Sequence, residues 1–483
     1  MLNKIKYNSQ INLLIQIKSF MVNKIMSSIS ATIVKATTMA VILLGAFAMQ
    51  TFNAHAEEEL TPMEQLELRM EGAENDLSKL KKLKIDGYIQ TQFQSADYQA
   101  DGVNFKLQNR LNAYEAFEEA NYSRFGIRRG RFKITYTDGL LEGVFQPDIT
   151  QNGVSFKDVF FTVSDPWTKR CGIRAGIFDR PFGHEIAYSS RTRESPERSR
   201  IFQTLFPDER DMGVMLILRT PRDTPLDFLR IDAGMFAGNG IRPQFDGGLD
   251  FIGRLSGTKR YDNFSVGGGV SAYIGGQRMY NGLDTVRNEE GAIIGINHRP
   301  VRLMEMEDHK WVVKEADNYG KRSPRQYFGA DFQFSIHNEG IGFTSFRAEY
   351  IMGNHAGGAT SAPTLNPTAL LTGDRYLRNI SGGYFILTQD LPVLPLTFVA
   401  KYDWYNPNTD IEGDEIGKAD NPNTSVADVS FNNIGLGLIW YINAGLRLTG
   451  YYDIVSHEIS DNLSGYKENR SMNVFTLRLQ YRF

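Results

Sequence analysis

Five basic side chains cluster in one short segment of the chain, residues 124–133. Arg124, Arg128, Arg129, Arg131 and Lys133 all fall within it. A guanidinium group is planar and donates two parallel hydrogen bonds, so clustered arginines suit the binding of phosphate or carboxylate. The same side chains would equally well pair with acidic residues and brace a wall electrostatically; Arg131 would then pair with Asp158 or Glu142 on neighbouring strands. The segment is therefore either part of an anion site or part of a network of ion pairs.

A second group of charges lies in the connection Asp179–Asp211. Its bases are Arg180, Arg191, Arg193, Arg198, Arg200 and Arg210, and its acids include Glu194, Glu197, Asp208 and Glu209. The net charge is close to zero. If this connection enters a pore, it narrows the pore; if it stays outside, it meets lipopolysaccharide or solvent. The sequence leaves both possibilities open.

The elements that must position these charges are strands. In the last segment of the chain Phe475, Leu477, Leu479, Tyr481 and Phe483 share one face, and polar residues alternate with them. Such a strand fits lipid on one side and water on the other. A soluble β-sandwich strand shows the same alternation, so the rest of the chain has to decide.

Sixteen candidate strands follow one another from Ile85 onward. They are Ile85–Gln94, Arg124–Thr137, Leu141–Gln146, Ser155–Val163, Lys169–Phe178, Met212–Arg219, Asp227–Phe236, Asp250–Gly257, Phe264–Ile274, Gln326–His337, Ile341–Met352, Tyr376–Gln389, Leu394–Tyr405, Asn433–Ile442, Gly445–Ser456 and Met472–Phe483. Long polar connections at 95–123, 179–211, 275–325, 353–375, 406–430 and 457–471 alternate with short turns. This alternation is typical of a transmembrane barrel, which has short periplasmic turns and long outer loops. The fold prediction is therefore an all-β transmembrane antiparallel barrel of about 16 strands.

The strand phasing assigns a lumen face. Charge on the lipid face is costly, so the polar phase of each strand must face inward. The inward bases are then Arg129, Arg131, Lys133, Arg174, Arg230, Arg254, Arg347, Lys401, Arg447, Arg478 and Arg482. The inward acids are Asp86, Glu142, Asp158, Asp232, Asp331, Glu349, Asp403 and Asp453. The inward bases outnumber the inward acids, although the whole chain has a net charge of −3. A basic lumen would concentrate anions locally. The apolar phase shifts between Ile127 and Phe132, which predicts a β-bulge near Gly130.

The N-terminal region, residues 1–56, is predicted to be a secretory signal peptide. Lysines precede the apolar run Met39–Met49, and Ala54-His55-Ala56 follows it as a cleavage site. Met21 and Met26 are more ordinary starts, so residues 1–20 would then be a misassigned start. The single cysteine, Cys171, excludes internal disulfides.

Residues 57–84 carry a heptad pattern. Met63, Leu66, Met70, Ala73, Leu77 and Leu80 are spaced alternately by three and four. This spacing predicts a helix with one apolar seam. The seam would either join subunits as a short periplasmic coiled coil or pack on the barrel formed by residues 85–483.

Several segments together resemble the phosphate-selective porin O and P family. They are Ile127-Arg128-Arg129-Gly130-Arg131-Phe132, Val154-Ser155-Phe156-Lys157-Asp158-Val159-Phe160, Arg174-Ala175-Gly176-Ile177-Phe178-Asp179-Arg180-Pro181-Phe182-Gly183, Asp208-Glu209-Arg210-Asp211-Met212-Gly213-Val214, Gly435-Leu436-Gly437-Leu438-Ile439-Trp440-Tyr441-Ile442-Asn443 and Leu477-Arg478-Leu479-Gln480. The resemblance implies a homotrimer of 16-stranded barrels with an inward third loop and with arginines that guide anions.

The functional prediction is an outer-membrane porin of a Gram-negative bacterium, surrounded by lipid and lipopolysaccharide. It would pass small anions, including phosphate or polyphosphate. The expected anion path comprises Arg129, Arg131, Lys133, Arg174, Arg191, Arg193, Arg254, Arg347 and Lys401, and Phe483 is the expected assembly signal. The alternatives are a general-diffusion porin without phosphate selectivity and a structural barrel that anchors the outer membrane.

Other functions find no support in the sequence. The histidines, among them His184, His337, His355 and His457, are scattered and no catalytic motif surrounds them. We expect no enzymatic activity, no cofactor, no metal and no nucleic-acid partner.

Overall fold

The structure, a computed structural model, describes residues 62–97, 122–289, 291–360, 372–470 and 472–483. The predicted signal peptide and most of the connection 95–123 lie outside the described residues. In the described part of the chain, no helix is both long and apolar enough to cross a bilayer.

Helix α1 spans Pro62–Lys81, inside the segment with the heptad pattern. Seam residues whose side chains the structure describes, namely Met63, Leu66, Met70, Leu77 and Leu80, are exposed. The helix carries Lys79 and Lys81 in its last turn, where their positive charges interact favourably with the negative end of the helix dipole.

Strands form the rest of the fold, in chain order. They are β1 (Leu83–Ala96), β2 (Tyr122–Asp138), β3 (Leu141–Thr150), β4 (Gly153–Ser164), β5 (Gly172–Asp179), β6 (Arg210–Arg219), β7 (Leu229–Phe236), β8 (Asp250–Arg260), β9 (Phe264–Arg278), β10 (Leu283–Arg287), β11 (Ile293–His298), β12 (Leu303–Glu307), β13 (Lys310–Glu315), β14 (Arg322–Asn338), β15 (Gly342–Gly357), β16 (Arg375–Asp390), β17 (Leu396–Asn406), β18 (Phe431–Tyr441), β19 (Leu446–His457) and β20 (Val474–Arg482). A short helix, α2 (Arg200–Leu205), lies between β5 and β6.

Sixteen of these strands close into one antiparallel barrel, which confirms the fold prediction. Each strand pairs with the next, from β1 to β9 and from β14 to β20, and β9 pairs with β14. The barrel closes because β1 pairs with β20 as well as with β2. A closed barrel leaves no unpaired sheet edge to the lipid.

The connection between β9 and β14 corresponds to the predicted long polar connection 275–325, in which no candidate strand was placed. It contains two hairpins, β10–β11 and β12–β13. The β12 strand also adds a short parallel pairing to β16. The connection 151–152 between β3 and β4 is short although it lies at the end with the long loops.

The predicted faces of the closing strand agree with the structure. On β20, Thr476, Arg478 and Gln480 are buried inside the barrel, whereas Leu477 and Tyr481 are exposed on its outside. The same alternation of buried and exposed residues runs along β17.

The inside of the barrel has two different parts. The inward faces of β5–β9 and β14–β19, here called the packed wall, carry apolar side chains that form one large buried cluster. The inward faces of β20 and β1–β4, here called the basic wall, contribute only Phe160 to the edge of that cluster. We refer to the connection 180–209 between β5 and β6 as L3.

Candidate functional site

L3 lies inside the barrel. Its residues Phe182, Phe202 and Phe206 are fully buried or nearly so, and they belong to the same cluster as the inward residues of the packed wall. The ring of Phe182 stacks on that of Phe206 at 5.2 Å, and Phe206 contacts Tyr327 of β14 at 5.7 Å between centroids. The aromatic residues of L3 therefore fill one side of the lumen and hold the loop there.

A carboxylate of the packed wall fixes the start of L3. Glu349 of β15 accepts hydrogen bonds from the backbone N–H groups of His184 (3.1 Å) and Glu185 (2.9 Å). Gly183 just before them has φ +67°, and a Cβ atom there would overlap the Glu349 carboxylate. Only glycine fits this position because it has no Cβ and adopts positive φ at little cost.

Two ion pairs add to this attachment. Lys401 Nζ of β17 lies 3.3 Å from Glu185 Oε1. Arg347 of β15 pairs with Glu194, and its guanidinium lies 4.4 Å above the ring of Tyr188. These bases of the packed wall hold L3 and are covered by it.

A β-bulge brings two consecutive arginines into the lumen from the basic wall. Gln90 of β1 pairs with Arg129 of β2, but the next residue, Thr91, pairs with Ile127. Arg128 is thus an extra residue in β2. A bulge of this kind lets two neighbouring side chains point to the same face.

A second bulge does the same on β4. Gln146 of β3 pairs with Asp158, whereas Pro147 pairs with Phe156, which leaves Lys157 as the extra residue. Both Lys157 and Asp158 are buried on the lumen side. The two bulges each add one base to the basic wall that strict alternation would not supply.

Three arginines converge on one carboxylate of L3, and we call this group the arginine cup. Arg128 binds Glu197 through two hydrogen bonds of 2.7 Å each, from Nε and Nη2. Arg129 Nη2 lies 3.4 Å from Glu197 Oε2 and Arg478 Nη2 lies 2.8 Å from Oε1. Burial alone would raise the pKa of the Glu197 carboxyl, but the three arginines outweigh it and hold the pKa well below its ordinary value.

A cavity of about 480 Å³ lies between the basic wall and L3, towards the long loops. Its charged lining comprises six bases and four acids: Arg124, Arg128, Arg129, Arg131, Lys157, Arg198, Asp148, Glu197, Asp208 and Glu209. Amide side chains also line it, among them Gln92, Gln151 and Asn152. The cavity is therefore polar and has an excess of positive charge.

A second cavity, of about 620 Å³, lies at the end of the barrel with the short turns. It is lined by four lysines and two acids, namely Lys81, Lys82, Lys84, Lys133, Asp86 and Glu142, together with Thr135 and Thr137. Between the two cavities L3 touches the basic wall, where Ser190 contacts Tyr88 (2.6 Å) and Arg131 (3.2 Å). Basic residues of β2 therefore line both cavities and also lie at the contact between them.

Three of the nine predicted site residues line these cavities: Arg129 and Arg131 the first, and Lys133 the second. Arg131 pairs with Asp148 across the β2–β3 ladder at 3.0 Å. Among the described residues, Lys133 has no ion pair. Sequence analysis placed Arg129 and Arg131 on one face of β2, and the structure places both inside the barrel.

The two predicted residues of L3 have different surroundings. Arg191 pairs with Asp86 of β1 at 2.9 Å. Arg193 is buried and donates to the backbone carbonyls of Ser195 (3.2 Å) and Pro196 (2.9 Å). Both residues shape L3, and neither belongs to the lining of these two cavities.

The other four predicted residues also lie away from the cavity linings: Arg174, Arg254, Arg347 and Lys401. Arg347 and Lys401 hold L3, as described above. Arg254 pairs with Asp331 at 2.5 Å, and the Arg174 guanidinium lies 4.0 Å above the ring of Phe160. The predicted set is therefore split between two walls.

Sequence analysis named Arg128 in the basic cluster and Glu197 in the connection 179–211, but it placed neither of them, nor Lys157, on the anion path. The available signal was the break in apolar alternation after Ile127. It predicts a bulge near Gly130, whereas the extra residue in the ladder is Arg128. A bulge moves the ladder by one residue without any fixed residue type, so its position is hard to read from sequence.

Comparison with known proteins gives the fold. No protein-family model and no curated protein sequence matches the chain. Among solved structures, OprB of Pseudomonas putida is similar with a TM-score of 0.52 and 10% identity, over 86% of this chain and 97% of that one. OmpT of Vibrio cholerae in its trimer form gives 0.46 and 10% identity, over 83% and 99%. An anion-selective porin from Comamonas acidovorans gives 0.44 and 10% identity, over 83% and 99%. The chain has a porin-type outer-membrane β-barrel fold.

Proposed function

We propose that this protein is an outer-membrane porin that conducts small anions along its basic wall. One observation carries the proposal: the two cavities described above lie against this wall and have more bases than acids. A basic, water-filled passage raises the local concentration of anions. Phosphate and carboxylate fit the arginines of the first cavity because a guanidinium donates to both through paired hydrogen bonds.

The setting of this channel is part of the proposal. We expect the N-terminal segment to direct export, the barrel to insert in the outer membrane of a Gram-negative bacterium, and its exposed apolar belt to meet lipid and lipopolysaccharide. We also expect a homotrimer, in which the exposed seam of α1 joins three copies as a short coiled coil.

Reversal potentials in a planar bilayer test the proposal. The purified protein is placed between two potassium chloride solutions of different concentration, and the sign of the potential reports whether chloride or potassium permeates better. An anion-selective potential, shifted further when phosphate replaces chloride, supports the proposal. Cation selectivity would contradict it, and a protein that forms no conducting steps would be a structural anchor.

A general-diffusion porin without phosphate selectivity is the second candidate. Pairing of the bases favours it: Arg131 with Asp148 (3.0 Å), Lys157 with Asp208 (3.1 Å) and Arg128 with Glu197. A paired base attracts a passing anion less than a free one because the fixed carboxylate already screens it. Weak anion selectivity with no block of the chloride current by phosphate would favour this candidate.

A further inference from the structure

The carboxylate of Glu197 is bound in the way that a free anion would be. Arg128 holds both of its oxygens, and Arg129 and Arg478 each reach one. The Glu197 side chain is 9% exposed, so the three guanidinium groups largely enclose it. Forked arginines around one carboxylate are the arrangement by which proteins recognise carboxylate and phosphate.

Two of the three arginines of the cup, Arg129 and Arg478, are also held by side chains other than Glu197. Gln92 of β1 accepts hydrogen bonds from Arg478 Nε (3.0 Å) and Nη2 (2.6 Å). Gln90 accepts one from Arg129 Nη1 at 3.0 Å. Because neutral amides on the neighbouring strand fix two of the three guanidinium groups, the cup should keep its shape when the carboxylate leaves.

The backbone around Glu197 is likewise held by other contacts. The carbonyl of Pro196 accepts from Arg478 Nη1 (2.6 Å) and Arg193 Nη2 (2.9 Å). Arg198 donates to the carbonyls of Glu185 (2.8 Å) and Ile186 (2.9 Å). Only the side chain of Glu197 has to move for the cup to become empty.

The cup opens onto the first cavity. Arg128, Arg129 and Glu197 all belong to its lining, and the Arg128 side chain is 38% exposed. A solute anion in the cavity therefore meets the cup directly. It must compete with Glu197, whose attachment to L3 gives it a high effective concentration.

We propose that Glu197 is a tethered competitor that sets how tightly the channel holds anions. Its carboxylate occupies the arginine cup, so solute anions pass the cup with weak binding. The inference extends the proposed function, and its consequence for transport rests on that function. It identifies one acid of L3 as the determinant of anion affinity.

Glu197→Gln tests the inference, with inorganic phosphate as the probe. The amide keeps the shape but removes the charge, so phosphate should fill the cup. We expect the phosphate concentration that halves the chloride current to fall by about tenfold or more, the change for one strong charge-assisted interaction. Glu194→Gln is the matched control because Glu194 lies in the same loop, pairs with Arg347 of the packed wall and does not line the cavity.

The unfolding temperature, measured with and without phosphate, tests the inference without recording a current. Without Glu197 the three arginines repel one another, so the variant should unfold at a lower temperature than the parent protein. Phosphate should restore that temperature in Glu197→Gln and change it little in the parent protein or in Glu194→Gln. A purely structural role of Glu197 predicts the loss of stability without rescue by phosphate.

The outcomes separate the inference from the proposed function. Equal block by phosphate in the parent and Glu197→Gln proteins, with no rescue of stability, would overturn the inference even if the parent channel is anion-selective. Cation selectivity of the parent channel would overturn the proposed function, while rescue by phosphate would still support the tethered carboxylate. Adding Arg128→Gln to Glu197→Gln should abolish the gain in phosphate binding; a gain that persists would place the phosphate elsewhere.

Discussion

On the packed wall, the inward side chains of Tyr273, Tyr327 and Tyr384 are buried, and aromatic rings of L3 contact all three. On the basic wall, the corresponding inward side chains are arginines, lysines and amides that face two cavities. Both walls arise from the same alternation of inward and outward residues along antiparallel strands. The difference shows that L3 determines the role of an inward position. Under L3, inward side chains are apolar or are charged groups that hold the loop, such as Glu349 and Lys401; beyond L3, they are polar and line the cavities.

The largest effect on conduction is expected from breaking the contact of L3 with the packed wall. Gly183→Val places a side chain where the Glu349 carboxylate lies and forces a branched residue into positive φ. L3 should lose two hydrogen bonds and part of its aromatic packing, at a cost of about 3 kcal/mol or more. We expect a larger and noisier single-channel conductance, because the loop no longer fills one side of the lumen.

Gly143→Val is the matched control for this substitution. Gly143 of β3 faces outward, a Cβ atom added to it would meet no other atom within 4 Å, and its φ is negative. A β-branched residue is well accepted in a strand. Conductance equal to that of the parent channel in Gly183→Val would mean that the loop does not depend on this contact.

The next largest effect on conduction separates the two walls by their arginines. Arg131→Gln removes a base from the cavity lining, whereas Arg254→Gln removes one that lies away from both cavities. Each leaves a buried carboxylate unpaired, Asp148 or Asp331, so both should lower stability by up to about 3–5 kcal/mol. Only Arg131→Gln should reduce anion selectivity, measured as the reversal potential in a salt gradient.

A charge-balanced variant sharpens this comparison. In Arg131→Gln with Asp148→Asn both charges are absent, so the unfolding temperature should recover most of its loss. Sequence analysis named Asp158 or Glu142 as partners of Arg131; the structure instead pairs Asp158 with Arg210 and Arg131 with Asp148. If the double variant regains full anion selectivity, Arg131 serves only to balance Asp148.

The strands could be predicted because each one carries its own signal. Alternating faces, as on β17 and β20, identify lipid-facing and inward residues from a few neighbours in sequence. Sixteen strands follow from counting such segments, and all sixteen lie in the barrel. The hairpins β10–β11 and β12–β13 were missed because they are short and lie in a polar loop, where alternation is weak.

The partners of the charged residues could not be predicted. Glu197 lies far in sequence from Arg128 and Arg478, and only the path of L3 through the lumen brings them together. Nor does sequence show that the inward residues of the packed wall are covered. Those positions read as the inner face of a water channel, and the aromatic residues of L3 turn them into a core.

Removing the N-terminal helix should leave both walls unchanged. A deletion of residues 57–84 would cut into β1, since Leu83 and Lys84 pair with Tyr136 and Thr135 of β2. The deletion should therefore end at Leu80, which also keeps Lys81 of the second cavity. We expect oligomers that dissociate more easily on heating, with the unfolding temperature of the barrel unchanged. Oligomers as resistant as those of the full protein would favour a helix that packs on the barrel instead of a coiled coil.

The smallest effect on the folded protein is expected where the end of the chain pairs with β1, inside the basic wall. Phe483 exchanges two backbone hydrogen bonds of 3.1 Å with Gly87 of β1. Its ring lies against Gly87, where a Cβ atom would come within 2.7 Å of it, and Phe483 is 53% exposed. Deleting Phe483 removes these two bonds at the end of a strand, so the stability of refolded protein should fall by about 1 kcal/mol or less per bond.

Assembly should suffer more than stability if the terminal aromatic residue is recognised during insertion. Phe483→Ala is the sharper variant, because it keeps the backbone pairing with Gly87 and removes only the ring. We expect the amount of protein in the outer membrane to fall strongly in both variants, while the unfolding temperature of refolded Phe483→Ala stays close to that of the parent. Quantifying the membrane fraction beside the unfolding temperature distinguishes the two roles. Losses of similar size in both measurements would mean that Phe483 is an ordinary lipid-facing residue whose ring covers Gly87. In that case the ring stabilises the pairing of β20 with β1 and is not recognised during insertion, because a residue read during insertion would lower the membrane fraction more than the unfolding temperature.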